Sequence, residues 1–198
     1  MRAGLVTLPL VFCSPAQALA EWQLRPFLGA TFAGSTTFVD LDRAVGGPNI
    51  AAGVNGALLG NIFGVEVDFG YAPGFFDAGD RELVRKNSAA TLTGNVIIAA
   101  PRSRTEYTLG PYFVAGLGLM RAHVDDVLTV FQVDSTLRAM DVGGGAIGYL
   151  SPRIGLMWDA RYFRSIGGGA PSGVSVDPED ASEHLSFWRA SMGVVIRY

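Results

Sequence analysis

Cysteine is nearly absent. Cys13 is the only one among 198 residues, and it falls in a stretch expected to be removed. The sequence therefore offers no disulfide framework and no thiol chemistry. Charge is scarce as well. Charged residues make up 17% and the formal net charge is −3, where an average soluble protein carries roughly 25% charged residues. So sparse and mildly acidic a balance leaves no electrostatic footprint for a nucleic-acid partner, and none is expected. Long apolar runs are missing too, although hydrophobic residues reach 49%. Beyond the N-terminal stretch, none approaches the ~18 residues that mark a spanning helix. No helix-period segment, internal repeat or low-complexity tract stands out.

The first twenty residues read as a cleavable signal peptide. Arg2 is a basic start, Gly4 to Phe12 a short apolar run, and Ala18-Leu19-Ala20 a small-x-small cleavage site before Glu21. The residue before Cys13 is Phe12 rather than a small one, so a lipoprotein signal is not expected. Cleavage after Ala20 leaves residues 21–198, a length suited to one domain. Losing Arg2 takes the formal charge from −3 to −4.

An exported, apolar, glycine-rich chain (26 Gly) without a spanning helix has few routes to stability. A closed β-barrel in a membrane is one, because every backbone group pairs between strands. Period-2 alternation predicts strands at about 22–32, 49–58, 62–71, 90–99, 107–120, 137–149, 154–163 and 187–198. The third reads Phe63, Val65, Val67, Phe69 and Tyr71 on one face, with Glu66 and Asp68 between them. The facing of the sixth is not legible. These strands approach the about 9–11 residues of a tilted membrane-spanning strand rather than the ~5–6 of soluble sheets. The connections alternate. Asn61, Ala100–Glu106 and Leu150–Arg153 are short, while Ala33–Pro48, Ala72–Ala89, Arg121–Thr136 and Arg164–Ser186 are long. Short turns at one end and long loops at the other suit an eight-stranded antiparallel up-and-down transmembrane β-barrel.

The pieces RPFLGATFAGST, FGVEVDFGYAPGFF, LTGNVIIAAP and GGGAIGYLSPRIGLMWDARYFR resemble the small outer-membrane β-barrel proteins of Gram-negative bacteria, the OmpA/OmpX-like barrels. The resemblance covers nearly all of residues 21–198. It implies residence in the cell outer membrane after export to the periplasm. The implied partners are outer-membrane lipid, lipopolysaccharide and the barrel-assembly machinery. Terminal Tyr198, with Ile196, Val194 and Met192 at alternate positions before it, is similar to the assembly signal read by that machinery. Full-length OmpA-type proteins continue into a peptidoglycan-binding domain; this sequence ends at Tyr198, and no such domain is expected.

If the large apolar residues face lipid, alternate positions face the lumen. That places Arg25, Glu66, Asp68, Asp159, Arg161, Arg189 and Arg197 inside, with Asp141. Four acids then meet four bases in a lumen that side chains fill. Enclosed charges are costly unless paired, so a salt-bridge core is expected, with Arg161 and Arg189 the leading partners of Glu66 and Asp68. An acid/base pair at Glu66 and Asp68 would also need a substrate cleft, and nothing marks one.

Other motifs read blandly. His184-Leu185-Ser186 resembles the His-x-Ser of the lipid A deacylases, but the later Glu of those enzymes is missing, and a hydroxyl without an oriented base is inert. His123 stands alone in a loop without a second ligand at metal spacing. Asp125-Asp126 and Asp177-Pro178-Glu179-Asp180 are read as solvated loop charges rather than a divalent-cation site beside lipopolysaccharide. Trp22, Tyr107, Trp158, Tyr162, Trp188 and Tyr198 suit aromatic girdles or ordinary apolar packing. Gly143-Gly144-Gly145 precedes no helix and is no phosphate loop; glycine there relieves crowding.

The expected protein is thus a monomer without cofactor, metal or catalytic residues. Its role is structural or interactive through four long outer loops. The alternatives are a narrow porin or small-molecule conduit, a lipid-modifying enzyme, and a soluble periplasmic barrel with its apolar face inward. From the terminal resemblance, deleting Tyr198 is expected to leave the protein periplasmic and protease-sensitive. Normal outer-membrane yield after the deletion, measured by fractionation, would refute an assembly role.

Overall fold

The computed structural model describes residues 20–36, 48–75, 84–101, 109–126, 132–166 and 185–198. The signal stretch through Leu19, Tyr107, His184 and the Asp177–Asp180 run lie outside the described residues. Within them the chain forms eight strands: β1 (Glu21–Thr36), β2 (Asn49–Leu59), β3 (Phe63–Pro73), β4 (Val84–Ala99), β5 (Gly110–Asp126), β6 (Gln132–Tyr149), β7 (Ile154–Ser165) and β8 (Leu185–Arg197). Each strand pairs antiparallel with the next in sequence, and β8 closes on β1. The ring leaves no unpaired sheet edge. Register shifts lie between Phe32 and Ser35 of β1, where Ala33 takes the left-handed φ of 50°, and between Val84 and Lys86 of β4.

Alternation along these strands sorts side chains by solvent. Leu28, Ile50, Phe63, Val65, Val67, Leu117 and Met192 point outward and are exposed, Ile50 by 73% and Val67 by 56%. The charged positions between them point inward. A soluble barrel would be built the other way round, so the inward-apolar alternative is overturned. A contiguous apolar belt around a closed sheet is stable only against lipid. Trp22 and Tyr198 project at the short-turn rim. Tyr162 and Trp188 pack together near the opposite end, ring centroids 5.3 Å apart.

The lumen has three levels. Toward the ends bearing the longer connections, Ala51, Ala72, Phe75, Met120, Leu137, Phe163, Leu185 and Phe187 form one apolar cluster. Toward the short turns, Leu59, Ile97, Tyr112, Val114, Ile147, Met157 and Val195 belong to another. The buried charges lie between.

Several strand limits differ from expectation. β5 begins at Gly110 rather than Tyr107. Pro111 stands second in it, and proline is confined to strand starts and edges because it lacks a ladder N–H. β4, β5 and β6 extend further toward the long connections than expected, so that β5 and β6 leave only residues 127–131 between them. His123, Asp125 and Asp126 therefore sit in strand backbone opposite Asp134, Gln132 and β4, not in a loop. Backbone ladders continue past the belt, where no lipid imposes apolar alternation. The facing of β6 is also resolved: Leu137, Ala139 and Asp141 are buried and Arg138 and Met140 are exposed.

Val67 lies midway along β3 on the exposed apolar face. Val67→Arg is expected to destabilise the folded barrel in liposomes by roughly 2–4 kcal/mol, the magnitude for arginine on a lipid face near the midplane. Wild-type stability in a urea titration of the variant would invalidate the inside–outside assignment.

Candidate functional site

The buried charged layer is built from β3 on one wall of the barrel and from the consecutive strands β6, β7, β8 and β1 around the rest of the lumen. β3 supplies Glu66 and Asp68, β6 Asp141, β7 Asp159 and Arg161, β8 Arg189, and β1 Arg25. All seven are buried. Their strands place them by alternation: each side chain occupies the inward position between two outward apolar neighbours.

Arg161 is the hub. Its Nη1 donates to Glu66 Oε1 at 2.6 Å and its Nε to Asp159 Oδ2 at 2.7 Å. The same Nη1 stands 3.7 Å from both Asp68 Oδ2 and Asp141 Oδ2. Arg189 grips Asp68 with both terminal nitrogens, at 3.0 and 2.7 Å. This fork geometry is the strong form of a guanidinium–carboxylate pair. Arg189 also lies between the rings of Phe27 and Phe163, 4.4 and 4.8 Å from their centroids. Those rings offer the guanidinium π-faces where polar partners run out. Arg25 donates to Glu66 Oε2 at 3.1 Å and, through Nε and Nη2, to Gln23 Oε1.

Neutral groups complete the layer. Tyr112 donates to Asp159 Oδ2 at 3.2 Å, and Ser191 donates to Asp159 Oδ1. Asn95 donates to Glu66 Oε1 at 3.2 Å. With its amide nitrogen turned toward β3, Asn55 donates to Asp68 Oδ2 at 2.6 Å and accepts from Arg161 Nη2. Glycines make the room. A Cβ at Gly143 would press on Arg161 Cγ at 2.8 Å, and one at Gly145 on Asp159 Cβ at 2.7 Å. Gly143 thus leaves room for Arg161 and Gly145 for Asp159.

Arg197 does not join this layer. It lies partly exposed at the short-turn rim, with Nε 3.2 Å from Glu21 Oε2 and donating to the Pro152 carbonyl at 2.7 Å. The reason is its position along β8: it is the last strand residue, far below Arg189. The expected balance of four acids and four bases becomes four acids and three bases. Sequence reasoning also missed Gln23, Asn55, Asn95, Tyr112 and Ser191, because it counted only formal charges. Their inward parity was available as a signal.

Glu66 and Asp68 are both engaged by guanidinium donors. Ser186 stands on β8 opposite Ser35 and Arg164. Among the described residues no group of three His, Cys, Asp or Glu side chains could hold a metal ion.

The fold is the eight-stranded up-and-down barrel of small bacterial outer-membrane proteins. Solved structures carry the likeness. Neisserial surface protein A superposes with a TM-score of 0.62 at 17% identity, over 90% of this chain and 97% of that one. The outer membrane protein OprG from Pseudomonas aeruginosa gives 0.60 at 12% identity, over 90% and 96%. Ail, the attachment invasion locus protein of Yersinia pestis, solved with the heparin analogue sucrose octasulfate, gives 0.52 at 12%, over 89% and 99%. No protein-family model matches the sequence, and no curated protein matches it.

The geometry sets a coupling pattern. In double-mutant cycles, Glu66 is expected to couple strongly to Arg161 and Arg25 and negligibly to Arg197. Glu66→Gln alone should lower the urea midpoint, since orphaning an enclosed charge costs about 3–5 kcal/mol. A matched Arg25→Met should recover part of the loss, because Arg25 serves Glu66 alone among the four acids, whereas Arg161→Met would also orphan Asp159. Equal coupling to all three arginines would contradict the network.

Proposed function

We propose that this chain is an integral outer-membrane barrel whose lumen is closed by paired charges, and whose role is structural or interactive at the cell surface. The observation that carries this reading is the buried layer itself. Three fully enclosed guanidiniums and four carboxylates cross the lumen between two apolar clusters. An eight-stranded ring has an interior that side chains just fill. A water-filled pore would leave such charges hydrated, whereas these, Asp141 apart, have their partners in one another. The opening beside Arg189, lined by Thr31, Gly70, Thr91 and Phe187, measures about 10 Å³, room for about one water.

The apolar belt supports residence in lipid, and the strand architecture supports the outer membrane of a Gram-negative cell, reached after export to the periplasm. Lipid and lipopolysaccharide would then surround the barrel, the assembly machinery would read Met192, Val194, Ile196 and Tyr198, and the chain would act as a monomer. With the lumen closed, interaction falls to the connections at the end opposite the short turns. That Ail was solved with a sulfated sugar analogue lends support to surface binding as the kind of role such a barrel takes.

Planar-bilayer recording tests the reading. The refolded protein is expected to give no steady conductance steps. Stable steps from the wild-type barrel would overturn the closed lumen and establish the narrow-porin alternative.

A further inference from the structure

The buried layer holds one more negative charge than positive. Its carboxylates are Glu66, Asp68, Asp141 and Asp159; its guanidiniums are Arg25, Arg161 and Arg189. Three of the four acids accept close N–H bonds from arginine. Asp141 does not. Both its oxygens lack a hydrogen-bond partner although the residue is 1% exposed, and its nearest cation, Arg161 Nη1, stands 3.7 Å away and is already committed to Glu66. A carboxylate so enclosed is far from its favoured surroundings.

A second observation points to the same spot. Along one row of the sheet, Glu66 pairs with Asn95, Asn95 with Gly116, and Gly116 with Asp141. Asn95 Nδ2 is fixed by donating to Glu66, so Asn95 Oδ1 is turned the other way, over Gly116. A Cβ on Gly116 would overlap that oxygen. Asn95 Oδ1 is also buried without a partner, and the hydroxyl of Thr93, the next inward residue of β4, is turned toward the Asp141 carboxyl without closing a well-formed hydrogen bond. Asn95 Oδ1 of β4 thus lies over a bare glycine whose partner on the next strand is Asp141, the one carboxylate of the layer that accepts no arginine N–H bond.

We propose that Asp141, Asn95 and Thr93 form a site for one monovalent metal cation, sodium or potassium, enclosed in the lumen above Gly116. Oxygen donors are what alkali cations take, and one positive charge balances the layer. A divalent ion demands a fuller oxygen shell and more carboxylate, and the other three acids are held by arginine. Water alone would supply hydrogen bonds but leave the charge. Because the site exists only in the folded ring, its occupancy is linked to stability.

The test is the urea midpoint of the barrel folded in detergent. It is measured in sodium or potassium chloride against N-methylglucamine chloride at equal ionic strength. The wild-type midpoint is expected to rise with sodium or potassium concentration and to saturate. Asp141→Asn should lose that dependence, and Thr93→Val should shift it to higher cation concentration. Glu21→Gln, at the rim, should keep it. Sodium-23 relaxation in the same samples should show bound ion for wild type and its loss in Asp141→Asn. Midpoints indifferent to the alkali cation would overturn the site, as would a dependence that survives in Asp141→Asn. Indifference to cations combined with stabilisation on acidification would instead assign the balancing charge to a proton on Asp141.

Discussion

Opposite walls of this barrel are joined by charge. Glu66 and Asp68 of β3 meet Arg161 of β7 and Arg189 of β8 across the lumen, between residues 95 and 121 positions apart in sequence. The neighbouring strands alone would be poorly matched there, because Arg161 and Arg189 stand directly opposite each other on β7 and β8. Like charges in a cross-strand pair are destabilising. Asp159 answers Arg161 from its own strand, but ring closure, which carries β3 to the far side of the lumen, brings Asp68 to both arginines. Closure and charge compensation therefore depend on each other, and Gly143 of β6 and Gly70 of β3 leave the space that Arg161 and Arg189 occupy.

The two solvents of the sheet set everything else. Outside, lipid rewards Val65, Val67 and Phe69 and forbids unpaired backbone, so the strands close. Inside, the enclosed layer excludes apolar filling at mid-height, while Phe163 and Phe187, stacked at 5.1 Å, and the Ile97–Met157–Val195 group occupy the levels beside it. The apolar levels keep water from the ion pairs, which strengthens each pair and makes each unpaired group more costly. Asp141 is where that balance fails.

Strand number, order and facing were legible because lipid writes a period of two into any strand that crosses it. Where lipid stops, the signal stops. The outer reaches of β4, β5 and β6 carry ladders without apolar alternation and read as loops. The facing of β6 was masked because Gly143-Gly144-Gly145 has no side chains on either face. The inward parity of Arg25, Glu66, Asp68, Asp141, Asp159, Arg161 and Arg189 followed from their apolar neighbours. Height along the barrel did not, and Arg197 shows why: parity says which side of the sheet a residue takes, whereas level depends on the register of every strand around the ring. The neutral members, Asn95 and Tyr112 among them, were invisible to a count of charges.

Buried ion pairs add little net stability over a well-packed apolar core, because desolvation offsets most of their attraction. What they add here is discrimination between registers. The apolar belt alone tolerates a two-residue slip of any strand, since such a slip keeps every large apolar side chain facing lipid. A slip of two in β7 would carry Arg161 out of reach of Glu66 into one of the adjoining apolar levels, and leave Asp159 facing the wrong partners. A slip of one would turn both into lipid. The bidentate grip of Arg189 on Asp68 imposes the same condition on β8 relative to β3. Three arginines on β1, β7 and β8, read against two carboxylates on β3, thus fix the stagger at which the ring can close, a constraint that the hydrophobic pattern by itself leaves open.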